Sequence, residues 1–349
     1  MEPITTQVPS TQNILAVQSE GGAAGGVVSE GQAYGLLTSA IALASINENH
    51  QRLQEVSGKF IGYFNGWKKM CENSLEASEC QSIKYCYGKP CLPGWKHESD
   101  LSALIGSGAA PDGDEDAIVG MIIALKAVEN YSTRPEWYNE VQDWADRSCT
   151  QFLKDNTVLS TSKNHRLLKL GSCWGGWGLD GNNPSYHAPG HYRMMRDFQN
   201  SMSALRSYEL PDFDGKSLSE AWNMLIDTSY KFLATARCPD TGLIPNWALV
   251  DEKDSKTLVK APGSFSGSGT PQGEFGAEAS RTIWRIAFDA LVYPVESAEL
   301  SFSSLDGLHY LLVEYFEMNP TNGWEYFPNY SVSKVLFLDR ICFRINCKG

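Results

Sequence analysis

Apolar residues recur at helical spacing along most of this chain. The first strong helix follows Ser29, which is predicted as its N-cap, with Gln32 completing a capping box. Further helices are predicted at about 50–73, 114–130, 135–155, 188–207, 216–236, 277–293 and 296–317. The only strand-like segment is short, at 242–249. The pattern predicts an all-α fold.

Gly- and Ser-rich segments separate the predicted helices. Residues 1–28 end in GGAAGGVV and are predicted to form a flexible lead-in, followed by a single domain at 29–349. Two further loops, 156–185 and 260–275, are long enough to carry function.

Composition narrows the class of protein. Of the 349 residues, 42% are hydrophobic and 20% charged, a balance that argues against intrinsic disorder. The net charge of −12 argues against nucleic acid or an anionic membrane as partner, because both are bound through basic surfaces. The longest apolar stretch, 117–128, contains Lys126 and is too short to cross a bilayer.

Nine cysteines are many for a cytosolic chain. Three close pairs are candidates for local disulfides: Cys71 with Cys80, Cys86 with Cys91, and Cys342 with Cys347. No CxxC spacing occurs, so a zinc site is not expected. Sequons at Asn130 and Asn329 also fit export, although the N-terminus shows no signal-peptide pattern. We therefore predict a secreted protein.

Acidic residues stand where predicted loops become helices. Glu30 follows the predicted cap at Ser29, Glu278 begins another helix with Arg281 at i+3, and an acidic cluster lies at Asp112, Asp114 and Asp116. Each one alone is also explained by the helix dipole, which favours carboxylates at N-termini.

Several familiar site types are excluded by their spacing. An EF-hand loop starting at Asp112 would need Gly at position 117 and Glu at 123, where the chain has Ala117 and Ile123. His187 and His191 flank Pro and Gly, which favours loop histidines over a zinc pair. No GxSxG or Walker A motif is present, and neither a metal nor a cofactor is expected.

Tryptophans in loops point to carbohydrate. The chain has ten tryptophans, and Trp95, Trp174, Trp177 and Trp247 stand among Gly and polar residues rather than on predicted helix faces. Aromatic rings stack on the apolar faces of sugars, while carboxylates and amides bind the hydroxyl groups. We expect Trp95, Trp174 and Trp177 to be sugar platforms.

Four segments in order resemble glycoside hydrolase family 8: VSEGQAYGLL, DGDEDAIVGMIIAL, NNPSYHAPGHYR and EFGAEASRTIWRIAFD. The resemblance covers about residues 27–293 and implies an (α/α)6 barrel of helical hairpins acting on polysaccharide by inversion. It implies Glu30 as the general acid, Asp112 as a carboxylate that holds the sugar and the catalytic water, and Tyr186 as a site contact. Asp114 and Arg281 are expected to bind or support the substrate region.

The base position departs from the family pattern. Many members have Tyr-Asp before Ala-x-Arg, whereas this chain has Ala277 and Glu278. We predict Glu278 as the base, with Glu274 in reserve because some chitosanase-type members take their base from a nearby loop. In an inverting enzyme the carboxyl groups of acid and base stand roughly 6.5–9.5 Å apart, which leaves room for the attacking water. The extra methylene of Glu278 would displace this water unless the backbone position compensates for the longer side chain.

The resemblance implies an endo-acting hydrolase of β-1,4-linked polysaccharide. We order the substrates as β-glucan of the cellulose type, then xylan, then chitosan, and keep a catalytically impaired carbohydrate-binding relative as the alternative. A monomer is expected. With eight or nine predicted helices against the twelve of six hairpins, the barrel is expected to be incomplete at its C-terminus.

Overall fold

The computed structural model describes residues 5–9, 13–19, 25–74, 92–236, 244–250, 259–261 and 277–297. Within these ranges the helices are α1 Ser29–Ala44, α2 Leu53–Ser74, α3 Pro111–Val128, α4 Tyr138–Asp155, α5 Pro189–Ser201, α6 Leu218–Ala236 and α7 Ala277–Val292, with a 3₁₀ turn at Pro184–Tyr186. The strands are short: β1 Thr5–Gln7, β2 Leu15–Val17, β3 Val27–Val28, β4 Lys96–His97, β5 Leu104–Gly106, β6 Thr157–Leu159, β7 Arg166–Leu168, β8 Gly178–Asn182, β9 Ala248–Val250 and β10 Val259–Ala261. The predicted all-α class is confirmed.

The strands form small antiparallel sheets between the helices. β1 pairs with β2, β4 lies between β3 and β5, β6 pairs with β7, and β9 lies between β8 and β10. The chain divides into two compact units. The first comprises Met1–Thr157, Gly171–Cys173 and Met194–Ser219; the second comprises Val158–Leu170, Trp174–Arg193 and Glu220–Gly349. The prediction of a single domain at 29–349 stays a prediction.

In the first unit, α1 packs closely against α3. Gly113 lies so near the start of α1 that an added Cβ would stand 2.7 Å from the Ser29 carbonyl carbon and from the Glu30 nitrogen. Farther along the same helix, a Cβ on Gly120 would stand 2.5 Å from a Leu36 methyl group. Two glycines of α3 therefore allow the two helices to approach each other closely, at their N-terminal turns and farther along.

Substituting Gly113 tests this close approach. Gly113→Ala is expected to lower the free energy of unfolding by about 1–3 kcal/mol, because the new methyl group meets backbone that cannot rotate away. Gly58→Ala, in α2 with no atom within 4 Å of the added Cβ, is the matched control and is expected to stabilise by about 0.4–1 kcal/mol. Urea unfolding of both variants checks the pair, and equal effects would contradict the account.

The segment expected to be a flexible lead-in differs from that expectation where it is described. Its buried apolar residues form a cluster with Met70 of α2 and with Leu101: Val8, Ile14, Ala16 and Val27. Burying these side chains against the helices orders a segment whose Gly-rich composition suggested a linker. β1 and β2 are thus part of the first unit.

The predicted capping box at the start of α1 is wrong. The N-cap is Val28, with no side-chain cap hydrogen bond, and Ser29 is already helical. The buried Gln32 side chain instead accepts from the Val17 nitrogen at 3.0 Å and donates to the carbonyls of Leu15 and Tyr63, both at 2.9 Å. Gln32 therefore joins α1 to β2 and α2.

In the second unit, two histidines expected in loops are core residues. His187 is stacked on Phe232 and hydrogen-bonds Ser229 and Asn182, and burial lowers its pKa to about 3. His191 lies within α5, packed against Trp284 and Phe288 of α7. Both rings are buried in the core of this unit. The Pro and Gly between the two histidines suggested a loop and gave no sign of this burial.

One of the three predicted cysteine pairs lies partly within the described residues. Cys71 is a buried free thiol, so the predicted Cys71–Cys80 disulfide is wrong. The pairs Cys86–Cys91 and Cys342–Cys347 lie outside the described residues, as do most of the helix predicted at 296–317 and the C-terminal segment expected to leave the barrel incomplete. No helix in the described ranges is long and apolar enough to cross a membrane.

Candidate active site

Glu30 stands at the junction between β3 and α1 in the first unit. β3 pairs with β4, and the Ser29 nitrogen donates to the Trp95 carbonyl at 2.9 Å. These backbone contacts fix the first turn of α1, from which the half-buried Glu30 side chain projects. The acid predicted from the SEG sequence therefore has a rigid backbone support.

Tyr34 contacts Glu30 from one turn farther along α1. Its hydroxyl donates to Glu30 Oε1 at 2.9 Å. Residues at i and i+4 share a helix face, so the contact follows from the helix itself. Tyr34 restricts the rotation of the predicted acid.

The acidic cluster begins α3, whose first turn contains Asp112 and Asp114. Asp112 is largely buried, and its Oδ1 accepts from the Gly113 nitrogen at 2.9 Å. Asp114 is fully buried, and its Oδ2 accepts from Asn156 at 2.7 Å. A carboxylate without exposed surface supports the site's framework, and this geometry differs from the predicted contact of Asp114 with a sugar.

Burial raises the pKa of Asp114 well above its ordinary value, and the negative charges of Asp112 and Asp155 raise it further, while the Asn156 hydrogen bond lowers it. Within the described residues, Asp114 Oδ1 and Asn156 Oδ1 are buried without a partner. A proton on Asp114 adds a donor to a site rich in acceptors.

Asp114→Asn is expected to stabilise the protein at neutral pH. The unfolded Asp ionises at lower pH than the folded one, so the free energy of unfolding falls as pH rises above the ordinary Asp pKa of 3.8. The gain from the uncharged Asn should grow from pH 4 to pH 7 by about 1.4 kcal/mol for each pKa unit.

Denaturant unfolding at several pH values measures this trend. The exposed Asp100 is the control, because its hydrogen bonds to Ser102 lower its pKa. Asp100→Asn should therefore change stability with the opposite sign as pH rises. A gain for Asp114→Asn that does not depend on pH would contradict a raised pKa at Asp114.

Trp95 is the predicted sugar platform of the first unit. Its half-buried ring lies against Gly106, where an added Cβ would stand 2.3 Å from the indole nitrogen, and the Lys96 ammonium lies 5.9 Å from the ring centroid. The Trp95 ring thus packs against β5, and its backbone carbonyl is bonded to Ser29, the residue before Glu30.

Glu278 lies in the first turn of α7 in the second unit. The buried Asn246 side chain accepts from the Ala279 nitrogen at 3.0 Å and so satisfies one backbone donor of that turn. The Glu278 side chain is 29% exposed. It is therefore anchored at the helix start and still open to solvent.

Four side chains of the second unit form a closed ring of hydrogen bonds around the Glu278 carboxylate. Asn183 Nδ2 donates to Glu278 Oε2 at 2.7 Å, and Arg281 Nη2 donates to the same oxygen. Ser185 Oγ donates to Asn183 Oδ1 at 2.7 Å and accepts from Arg281 Nε at 3.1 Å. We call these four residues, Asn183, Ser185, Glu278 and Arg281, the Glu278 ring.

Tyr186 packs against this ring. The Arg281 guanidinium lies 5.1 Å from the centroid of the half-buried Tyr186 ring, and the Tyr186 backbone carbonyl accepts from the Tyr192 hydroxyl at 3.1 Å. The structure thus brings together three predicted residues, Glu278, Arg281 and Tyr186.

Trp174 and Trp177 flank a Gly-Gly turn. Gly175 and Gly176 have φ values of +77° and +129°, which other residues rarely adopt. Both tryptophans are half-buried, and the Trp177 indole nitrogen donates to the Val158 carbonyl at 3.3 Å. Their rings are partly exposed, as the platform prediction requires, whereas Trp247 is buried.

Sequence reasoning missed Asn183, Ser185 and Tyr34. Asn183 and Ser185 stand in the NNPSY motif beside Tyr186, where an Asn-Pro pair signals a turn. The i+4 spacing from Glu30 was the available signal for Tyr34. Glu274, the reserve base, lies outside the described residues. Among the residues that are described, no group of three or more His, Cys, Asp and Glu side chains could hold a metal ion.

Curated relatives of this chain are endoglucanases. Endoglucanase C of Ruminiclostridium cellulolyticum is 25% identical over 277 residues, covering 78% of this chain and 44% of the relative. Endoglucanase 2 of Ruminiclostridium josui is 27% identical over 197 residues, covering 55% of this chain and 33% of the relative. The chain spans less than half the length of these relatives. No family model matches it.

Solved structures share the fold. The apo β-1,3-1,4-glucanase from Paenibacillus sp. X4 aligns with a TM-score of 0.60 at 17% identity, covering 90% of this chain and 69% of that one. A reducing-end-xylose releasing exo-oligoxylanase aligns with a TM-score of 0.57 at 17% identity, covering 90% and 67%. The predicted (α/α)6-barrel fold class is thereby confirmed. In its motifs, its curated relatives and its fold, the chain bears out the predicted resemblance to glycoside hydrolase family 8.

Proposed function

We propose that this protein is an inverting, endo-acting glycoside hydrolase of β-1,4-linked polysaccharide. The observation that carries the proposal is the arrangement of the Glu278 ring. Glu278 Oε2 accepts hydrogen bonds from both Asn183 and Arg281, whereas Oε1 has no hydrogen-bond partner among the described residues. A carboxylate held this way suits a general base that accepts a proton from water.

In the proposed reaction, Glu30 protonates the leaving glycosidic oxygen and Glu278 activates a water on the opposite face of the sugar. Tyr34 holds Glu30, and Asp112 is the carboxylate that positions the sugar and water. Arg281 balances the charge of Glu278 and packs on Tyr186.

Partly exposed tryptophans supply the proposed sugar contacts. Trp95, Trp174 and Trp177 have the exposure that stacking on a glucose or xylose ring requires. We put β-glucan of the cellulose type first, and the relatives named endoglucanases support this choice. Xylan is second, in keeping with the exo-oligoxylanase structures, and chitosan third.

Reducing-end release measured with solution viscosity tests both the substrate and the endo mode. The chain should release reducing ends from carboxymethyl-cellulose faster than from xylan or chitosan, and viscosity should fall early because internal bonds are cut. Binding to all three polymers without release from any would establish the carbohydrate-binding relative instead. If reducing ends are released faster from xylan or from chitosan, that polymer and not β-glucan is the preferred substrate.

We also propose that the protein is secreted, monomeric and disulfide-bonded. Support comes from Cys173, which is disulfide-bonded, and from the exposed sequon residue Asn130. Non-reducing peptide mapping of protein from the culture medium measures the disulfides, and light scattering measures the mass. An intracellular protein with nine free thiols would contradict this proposal.

A further inference from the structure

The hydrogen bonds of the Glu278 ring fix the position of a carboxylate that a longer Glu side chain would otherwise leave mobile. A Glu side chain has one more rotatable bond than Asp, so its carboxylate reaches a given point only if that bond is fixed. Arg281, on the same helix, restrains Glu278 from one side. A second contact from outside α7 is needed to fix the carboxylate, and Asn183 provides it at 2.7 Å.

The orientation of the Asn183 amide is determined by its other partners. Asn183 Oδ1 accepts from the Ser185 nitrogen at 2.9 Å and from Ser185 Oγ at 2.7 Å. A flipped amide would set its NH2 group against the Ser185 N–H, so the carbonyl oxygen must face Ser185. The NH2 group therefore faces Glu278.

Burial makes this arrangement rigid. Asn183 and Ser185 are fully buried, while the Glu278 side chain keeps part of its surface exposed. Ser185 also accepts from Arg281, so each donor that reaches Glu278 Oε2 is itself held by Ser185. Oε1 has no hydrogen-bond partner in the described part of the chain.

We propose that Asn183 is a positioning residue for Glu278: held by Ser185, it fixes Oε2 and so assigns Oε1 as the oxygen that accepts the proton. This inference rests on the proposed function. When water attacks, its oxygen bonds to the anomeric carbon and its proton passes to Oε1. The glycosidic C–O bond breaks, and the leaving oxygen takes a proton from Glu30.

The variant Asn183→Asp separates positioning from structure. An Asp carboxylate can still accept both donors from Ser185 and cap the 3₁₀ turn, but it has no donor for Glu278 and repels it. In an active wild type, kcat should fall on the order of 10²-fold with little change in KM, because a displaced base costs about this much. Ser185→Ala should reduce kcat less, since the Ser185 nitrogen still holds Asn183.

Asn182 provides the matched control. It is buried in the same motif and donates to the Leu168 carbonyl, not to Glu278. Asn182→Ala should lower Tm without a selective loss of kcat. If Asn183→Asp keeps wild-type kcat, or if its loss matches that of Asn182→Ala at equal Tm, the positioning role is wrong.

A second measurement does not need activity. In protein with ¹⁵N-labelled asparagine, a side-chain proton of Asn183 bonded to a carboxylate should resonate downfield, and Glu278→Ala should shift it upfield. An unchanged signal overturns the inference even if the enzyme is active. If the wild type cleaves none of the polysaccharides but this shift occurs, the Asn183–Glu278 contact stands and the proposed function fails.

Discussion

Glu30→Gln is expected to lower reducing-end release from β-glucan by about 10²–10⁴-fold, the usual contribution of a positioned general acid. Gln has the size of Glu but no proton acidic enough to give to the leaving oxygen. The hydroxyl of Tyr34 can still bond the Gln carbonyl, so the fold of the first turn of α1 should be preserved.

The leaving group distinguishes loss of the acid from loss of the fold. A dinitrophenyl cellobioside departs with little protonation, so Glu30→Gln should retain far more activity on it than on the polysaccharide. Tyr34→Phe is the companion variant, which keeps the acid and removes only its 2.9 Å contact. Equal losses on both substrates for Glu30→Gln would contradict an acid role for Glu30.

Glu278→Ala should cause a loss of similar size, about 10²–10⁴-fold, because no group remains to accept the proton from water. Azide, a small anionic nucleophile that needs no base, should restore turnover in the space left by the side chain. The product would be a glycosyl azide of inverted configuration, which mass spectrometry and NMR detect.

Glu274→Ala is the decisive comparison for the base. It should leave most of the activity in place and show no rescue by azide. Release that survives Glu278→Ala but not Glu274→Ala would transfer the role of base to Glu274.

Local pattern was sufficient to predict the seven α-helices that the structure describes, and the position of Glu30 and Glu278 at helix starts. Helical periodicity and an acidic first turn depend only on residues close together in the sequence. Both patterns are present around Glu30 and Glu278. The resemblance to a family assigned their roles.

Long-range pairing explains what the sequence did not reveal. Asn183 and Glu278 are 95 positions apart, and Gln32 reaches Leu15 and Tyr63 rather than its own helix end. The packing of Ile14 and Ala16 against Met70 likewise depends on elements that meet only in the folded chain. Such contacts have no local signature, so a Gly-rich segment was predicted as a linker and Gln32 as a cap.

Inversion during hydrolysis of a β-1,4-glycan is tested most directly by proton NMR of the product that the wild type forms first. Cello-oligosaccharide hydrolysis followed within seconds, before mutarotation, should show the α-anomer at the new reducing end. Initial formation of the β-anomer would mean retention through a covalent intermediate, and it would contradict the roles proposed for Glu30 and Glu278.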